Sequence, residues 1–363
     1  MISYRKVVES MKPYVPGKPI DEVKRELGLT DVIKLASNEN PLGCSKKATE
    51  AMIANLEHPS LYPDGNCTKL RMALSDQLGF QPDQFIFGAG SDEILGMITE
   101  AFLEQNEEVL TCSPSFPRYA SATQLMGGKL IELPLKNHVF DLDGLAAHVT
   151  EKTKIIFIAN PNNPTGTIYT AEEQRAFLEK IPPHVMVVLD EAYCEYVDDP
   201  NYPNSLSMLK DFPNCIVLRT FSKIYGLASL RVGYGVASPS IINGLNRVRG
   251  PFNVNTLAQE AAYASLLDDA FVQASFDLNQ KAKLDLYKAL DEMGLSYIPT
   301  QGNFIMIDTQ RPSQILFEQL LHKGIITRPG FYFGMDTYLR VTLGTKAQME
   351  LFISTLKDLL ERK

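Results

Sequence analysis

The chain has 363 residues, enough for a substantial core and for two domains or one large one. Hydrophobic residues make up 45% and charged residues 21%, and the formal net charge is −8, with no basic stripe; this is an ordinary globular composition that argues against a nucleic-acid surface. The five cysteines are widely spaced and lack a C-x-x-C pair, so they read as reduced thiols, with neither disulfide framework nor metal site expected.

In chain order, the start carries no apolar core of an export signal, and no run approaches the roughly 18 apolar residues of a membrane span; a cytoplasmic protein is expected. A proline-rich arm over 13–19 precedes a helix over 20–28 that ends on Gly28. A strand over 32–36 runs into the polar loop Ser37-Asn38-Glu39-Asn40-Pro41-Leu42-Gly43. Helices over 46–56 and 68–78 flank the turn Tyr62-Pro63-Asp64-Gly65. Residues 84–93 then read as a strand, a turn of small residues and a helix opening at Ser91. The backbone N–H groups at such a helix start can bind an anion, although a capped turn that binds nothing has the same composition.

From there strands and helices alternate: strands over 108–111, 129–133, 154–158, 185–189, 215–218 and 233–236, with helices over 118–126, 142–148 and 171–180. This rhythm predicts an α/β fold with a mostly parallel central sheet and helices on both faces. After residue 250 the pattern changes to long helices over 255–267 and 269–293. Strands over 296–298, 303–307, 325–328 and 338–342 follow, with helices over 313–323 and 346–361. A large domain over 41–250 is therefore expected beside a smaller α+β domain built from 1–40 and 251–363.

Four segments at predicted strand ends carry the chemistry. Lys223, in Thr220-Phe221-Ser222-Lys223-Ile224-Tyr225-Gly226-Leu227, follows an apolar strand and is flanked by Phe221, Ile224 and Tyr225; partial desolvation there would lower its pKa and make its amine nucleophilic. Two hydroxyls and Arg231 stand near enough in sequence to hold a phosphate. Asn160-Pro161-Asn162-Asn163-Pro164-Thr165-Gly166 and Asp190-Glu191-Ala192-Tyr193 follow two other strands, and the Ser91 turn a fourth. Each alone is an ordinary turn or cap. Together they fall at the carboxyl ends of strands, which in a parallel sheet share the edge where ligands bind.

N-P-N-N-P-T-G, D-E-A-Y and S-K-x-x-G-L-x-x-L-R, in this order, resemble the fold-type I pyridoxal-phosphate-dependent aminotransferases of classes I and II, over residues 14–345. S-N-E-N-P-L-G, Y-P-D-G, R-T-F-S-K, G-I-I-T-R-P and Y-L-R-V-T-L-G-T are most similar to the histidinol-phosphate branch of that family. The resemblance implies that Lys223 joins the cofactor and moves the proton, that Asp190 pairs with the ring nitrogen, and that Asn163 and Tyr193 bond the ring oxygen. Phe116 stacks on the ring in the same reading. Backbone N–H groups of Ser91 and Asp92, the hydroxyls of Thr220 and Ser222, and Arg231 hold the cofactor phosphate, with Tyr62 reaching across from the neighbouring subunit of a homodimer.

For the substrate it implies Arg340 and Arg328 on a phosphate, helped by Tyr14 of the arm, with Asn38, Asn163 and Glu39 nearby. The activity implied is reversible amino transfer between histidinol phosphate and 2-oxoglutarate. An aromatic amino-acid aminotransferase would keep every cofactor residue, and a lyase of the phosphothreonine decarboxylase type shares the scaffold. The aminotransferase-like half of a transcription regulator would need a DNA-binding domain for which the chain leaves no room. The five histidines fall in no motif, and no Ser-His-Asp arrangement competes.

Overall fold

The computed structural model describes residues 2–11, 13, 17–57 and 59–361. Strand β1 (Ile33–Lys34) precedes the polar 37–43 loop. The apolar runs then form β2 (Phe85–Gly88), β3 (Glu108–Ser113), β4 (Lys129–Pro134), β5 (Thr153–Ala159), β6 (Met186–Asp190), β7 (Cys215–Thr220) and β8 (Gly233–Ala237). These make one sheet in the order β2-β8-β7-β6-β5-β3-β4. Every neighbouring pair is parallel except those of β8, which runs against both β2 and β7. Because β8 opposes both flanking strands, β2 points the same way as β7. The carboxyl ends of β2, β5, β6 and β7 therefore lie on one edge. β6 is buried along its whole length and β7 at every residue but Arg219, which explains why they read as continuous rather than alternating apolar runs.

A second, antiparallel sheet has the order β12-β13-β10-β9, from β9 (Ser296–Ile298), β10 (Phe304–Asp308), β12 (Arg328–Pro329) and β13 (Tyr338–Thr342). The single strand expected over 325–328 is divided between two partners. Its first half, β11 (Ile325–Ile326), pairs in parallel with β1, and its second half crosses to β13. That crossing places Arg328 directly opposite Arg340. Ile305, Ile307, Leu339 and Val341 from this sheet pack with Leu286, Leu320 and Phe352 from three covering helices as one apolar cluster.

Val254, Ala258, Ala261 and Ala262, beyond residue 250, belong instead to the cluster around the large sheet. The sequence pattern does not predict the helix Pro239–Val248. Its start carries the familiar signal of proline at the first helical position, but Gly244 interrupts the interior; it is accepted because the Phe102 ring lies where a Cβ would stand. Among the described residues, no helix is long and apolar enough to cross a membrane.

The loop after β7 docks against the 37–43 loop without room for a side chain. Gly226 sits at φ +70, and a Cβ there would run into the carbonyl of Gly43. Gly79, at φ +74, faces open space. Gly226→Ala is therefore expected to cost roughly 3 kcal/mol or more, against about 1 kcal/mol for Gly79→Ala, read from denaturant midpoints of the two variants.

Candidate active site

Lys223 stands three residues beyond the end of β7, in a loop closed by Gly226 N–H to Lys223 O (2.9 Å) and Leu227 N–H to Phe221 O (3.0 Å). Phe221 and Ile224 are fully buried, so the half-buried lysine stem emerges from an apolar bed. Its Nζ donates to Ser37 O at 3.3 Å and lies 5.4 Å from the centre of the Tyr193 ring.

Asp190 ends β6 and is buried. Oδ2 accepts from the Tyr119 hydroxyl at 2.8 Å, while Oδ1 finds no hydrogen-bond partner among the described residues. Burial is the main force on this carboxyl and lifts its pKa from the ordinary 3.8 to about 6; the bonds from Tyr119 and the Ala192 N–H pull the other way, and the carboxylates of Asp92 and Glu191 add to the rise. Tyr119 itself is stacked on Phe157 at 4.8 Å. Sequence reasoning missed it, because a tyrosine within a helix is commonplace. The available signal is its position three residues after Phe116, which puts both rings on one side of the chain, 5.8 Å apart.

At the end of β2, Gly90 caps the helix Ser91–Phe102 with φ 80 and ψ 166, and a Cβ there would meet Arg231 Nη2 at 2.7 Å. The first N–H groups of any helix lack partners within it. Around this start stand Thr220, Ser222 and Arg231, whose Nη1 approaches Ser222 Oγ at 3.5 Å. The Asp92 carboxylate is engaged by Arg118 at 3.2 Å, which offsets its charge beside the helix start. An anion fits this cradle and a protonated ring nitrogen fits Asp190 Oδ1, so the residues present match pyridoxal 5'-phosphate.

The other end of the cavity is built on the small sheet. Arg340 is buried, donates from Nη1 to Asn163 Oδ1 and from Nη2 to Ala36 O, both at 2.6 Å, and lies between the rings of Phe304 and Phe333 at 5.5 and 5.4 Å. Arg328 lies over Tyr332 at 4.2 Å. Asn38 is buried at φ 57; its Nδ2 donates to the Tyr193 hydroxyl at 2.9 Å, and its Oδ1 accepts from Thr342 Oγ1 at 3.2 Å. Neither the Phe304–Phe333 bracket nor the Asn38 clasp has a sequence signal, because the partners come from distant strands and loops.

One cavity of about 210 Å³ is lined by residues from all these groups, including Ser91, Phe116, Asp190, Lys223, Arg328 and Arg340. Asn38, Asp92, Asn163, Tyr193, Thr220, Ser222 and Arg231 also reach it. Tyr62 does not: it is 82% exposed and stacks on Phe252 at 4.7 Å. Glu39, expected near the substrate, instead pairs with Lys34 at 2.6 Å and lines a different cleft. Tyr14 lies outside the described residues.

The model of the family described as aminotransferase class I and II matches residues 30–356. The histidinol-phosphate aminotransferase of Caldicellulosiruptor saccharolyticus is 51% identical, over 98% of this chain and all of that one. That of Moorella thermoacetica is 52% identical, over 98% of this chain and 92% of its own length. Among solved structures, the histidinol-phosphate aminotransferase of Sinorhizobium meliloti in complex with pyridoxal-5'-phosphate superposes with a TM-score of 0.91 at 27% identity, covering 98% of this chain and 97% of that one. Aspartate aminotransferase from Thermus thermophilus, at 22% identity and a TM-score of 0.85, shares the fold. The strand-end lysine, the buried aspartate, the helix-start cradle and the match over most of the length lead to one conclusion: the chain belongs to the class I and II aminotransferase family.

Proposed function

We propose that the protein transfers an amino group between L-histidinol phosphate and 2-oxoglutarate, giving imidazole acetol phosphate and L-glutamate, as a cytoplasmic step of histidine biosynthesis. The observation that carries the substrate choice is the pairing of Arg328 with Arg340 across β12 and β13, at the end of the cavity away from the cofactor cradle. Like charges directly opposed on antiparallel strands repel. A phosphate dianion between them relieves that repulsion and offers each guanidinium an acceptor oxygen. The names of the relatives point to the same substrate.

When bound, pyridoxal 5'-phosphate supplies the carbonyl that takes up the amino group and the ring that draws electrons from the substrate's reacting carbon. The Lys223 amine removes the proton from that carbon and would deliver it to the cofactor's C4' carbon, close enough to act because its loop is pinned to the 37–43 loop. Asp190 presents Oδ1 to the protonated ring nitrogen while Tyr119 holds Oδ2. The Tyr193 hydroxyl accepts from Asn38, so its own proton is available to the ring oxygen, with Asn163 beside it. Phe116 covers the ring face. The N–H groups of Ser91 and Asp92, the hydroxyls of Thr220 and Ser222, and Arg231 hold the cofactor phosphate. Arg328, Arg340 and Tyr14 hold the substrate phosphate, and Asn38 borders the space between.

The working unit in this reading is a homodimer in which Tyr62 reaches the neighbour's cofactor phosphate. Its support is the exposure of Tyr62 together with Ile53, Leu56 and Leu61, apolar side chains of the kind that mark a contact surface. The reading divides the chain into a large domain over 41–250 and a small one from 1–40 and 251–363, with the helix Thr256–Leu266 packed on the former.

The test is a half-reaction followed by cofactor absorbance. Histidinol phosphate converts the bound cofactor rapidly and phenylalanine does not; the reverse result removes the substrate assignment, and a Lys223→Ala protein with normal turnover removes the mechanism. Arg328→Ala and Arg340→Ala each weaken histidinol phosphate by about tenfold or more in apparent affinity, measured as KM. Asp190 gives a pH signature. Its folded pKa lies above the ordinary value, so ionising it costs stability: the penalty is absent below pH 4, grows between pH 4 and 6, and is complete above pH 6. Without cofactor, Asp190→Asn is thus more stable than wild type by up to about 3 kcal/mol at pH 8 and equal to it near pH 4, in denaturation curves across that range.

A further inference from the structure

The cradle turn is held by a residue that does not reach the cavity. Glu93 is the third residue of the helix Ser91–Phe102, where a glutamate ordinarily reaches back to the N-cap amide. Here the N-cap amide, Gly90 N–H, is taken by Gly88 O at 2.7 Å, and Glu93 Oε2 reaches one residue further, accepting from Ala89 N–H at 2.6 Å. The same oxygen accepts from Asn253 Nδ2 at 2.7 Å, and that amide group also donates to Phe87 O at 3.1 Å. Asn253 is fixed in turn by Arg249, which donates to its Oδ1 at 3.2 Å and to Gly65 O at 2.6 Å. On the other side of the turn, Ala89 O accepts from Arg231 Nη2 at 3.3 Å. Ala89 is thus gripped at its N–H by Glu93 and at its carbonyl by Arg231.

We infer that Glu93, held by Asn253, is a positioning residue for phosphate binding: it fixes the Gly88–Gly90 turn so that the Ser91 and Asp92 amides converge on one anion. The inference rests on the cradle being the cofactor-phosphate site. Charge alone predicts the opposite, because removing an acid beside an anion site strengthens the anion's binding. The brace acts through geometry, so the acceptor oxygen matters and the charge does not.

The test titrates full-length protein, stripped of cofactor, with pyridoxal 5'-phosphate and separately with pyridoxal, which lacks the phosphate. Glu93→Ala weakens pyridoxal 5'-phosphate by on the order of tenfold or more and leaves pyridoxal unchanged, while Glu93→Gln, which keeps an acceptor oxygen, stays near wild type. Asn253→Ala shows the same selectivity with a smaller loss, and it carries the test if Glu93→Ala fails to fold. Unchanged or tighter binding of pyridoxal 5'-phosphate by a folded Glu93→Ala protein overturns the brace, as does an equal loss for both ligands. A wild-type protein that does not prefer pyridoxal 5'-phosphate over pyridoxal overturns the cradle assignment itself, and the brace with it.

Discussion

Parallel pairing of β5, β6 and β7, strands spaced about 4.8 Å apart, delivers the 160–166 loop, Asp190 and the Lys223 loop to one edge of the sheet. Everything in the site depends on this register. Ala159 pairs with Asp190, and Asp190 with Leu218, so a slip of a single residue in β6 would turn the carboxylate to the opposite face. β2 joins the same edge only because β8 is antiparallel to both its neighbours. The anion cradle and the lysine are therefore neighbours through a strand that contributes none of the residues placed in the site.

The two ends of the cavity have opposite electrostatic needs. Asp190 is a carboxyl raised by burial and left with one oxygen unpartnered, which favours a cationic hydrogen-bond donor. The arginine pair and the helix start favour anions. A ring cation at Asp190, a phosphate in the helix-start cradle and a second anionic group at the arginines meet all three demands at once, and together they constrain the ligands more than any single contact.

Much of this was legible in the sequence because it is local. Lys223, Asp190, Asn163 and Ser91 sit in short motifs at strand ends, and strand ends can be read from apolar runs. What remained hidden depends on pairing between distant segments. The opposition of Arg328 and Arg340 follows from the change of partner after Ile326, which no periodicity encodes. Tyr119 is an ordinary helix residue until β6 brings Asp190 beneath it. Glu39 lies beside Asn38 in one motif, yet the chain turns at Asn38 with φ 57, and Lys34 captures the Glu39 carboxylate.

The anchoring of Arg340 bears on how such a site can be re-engineered. Its guanidinium is bound to Asn163 on the large-sheet side and to Ala36 before the 37–43 loop, and two aromatic rings bracket it. Replacing it would strand a part-buried amide oxygen and a buried carbonyl as well as remove a charge. Arg328 rests on a half-exposed tyrosine at the end of a two-residue strand. A mutant library seeking new amine donors would therefore find its productive diversity at positions 328 and 332, with position 340 held constant as part of the scaffold.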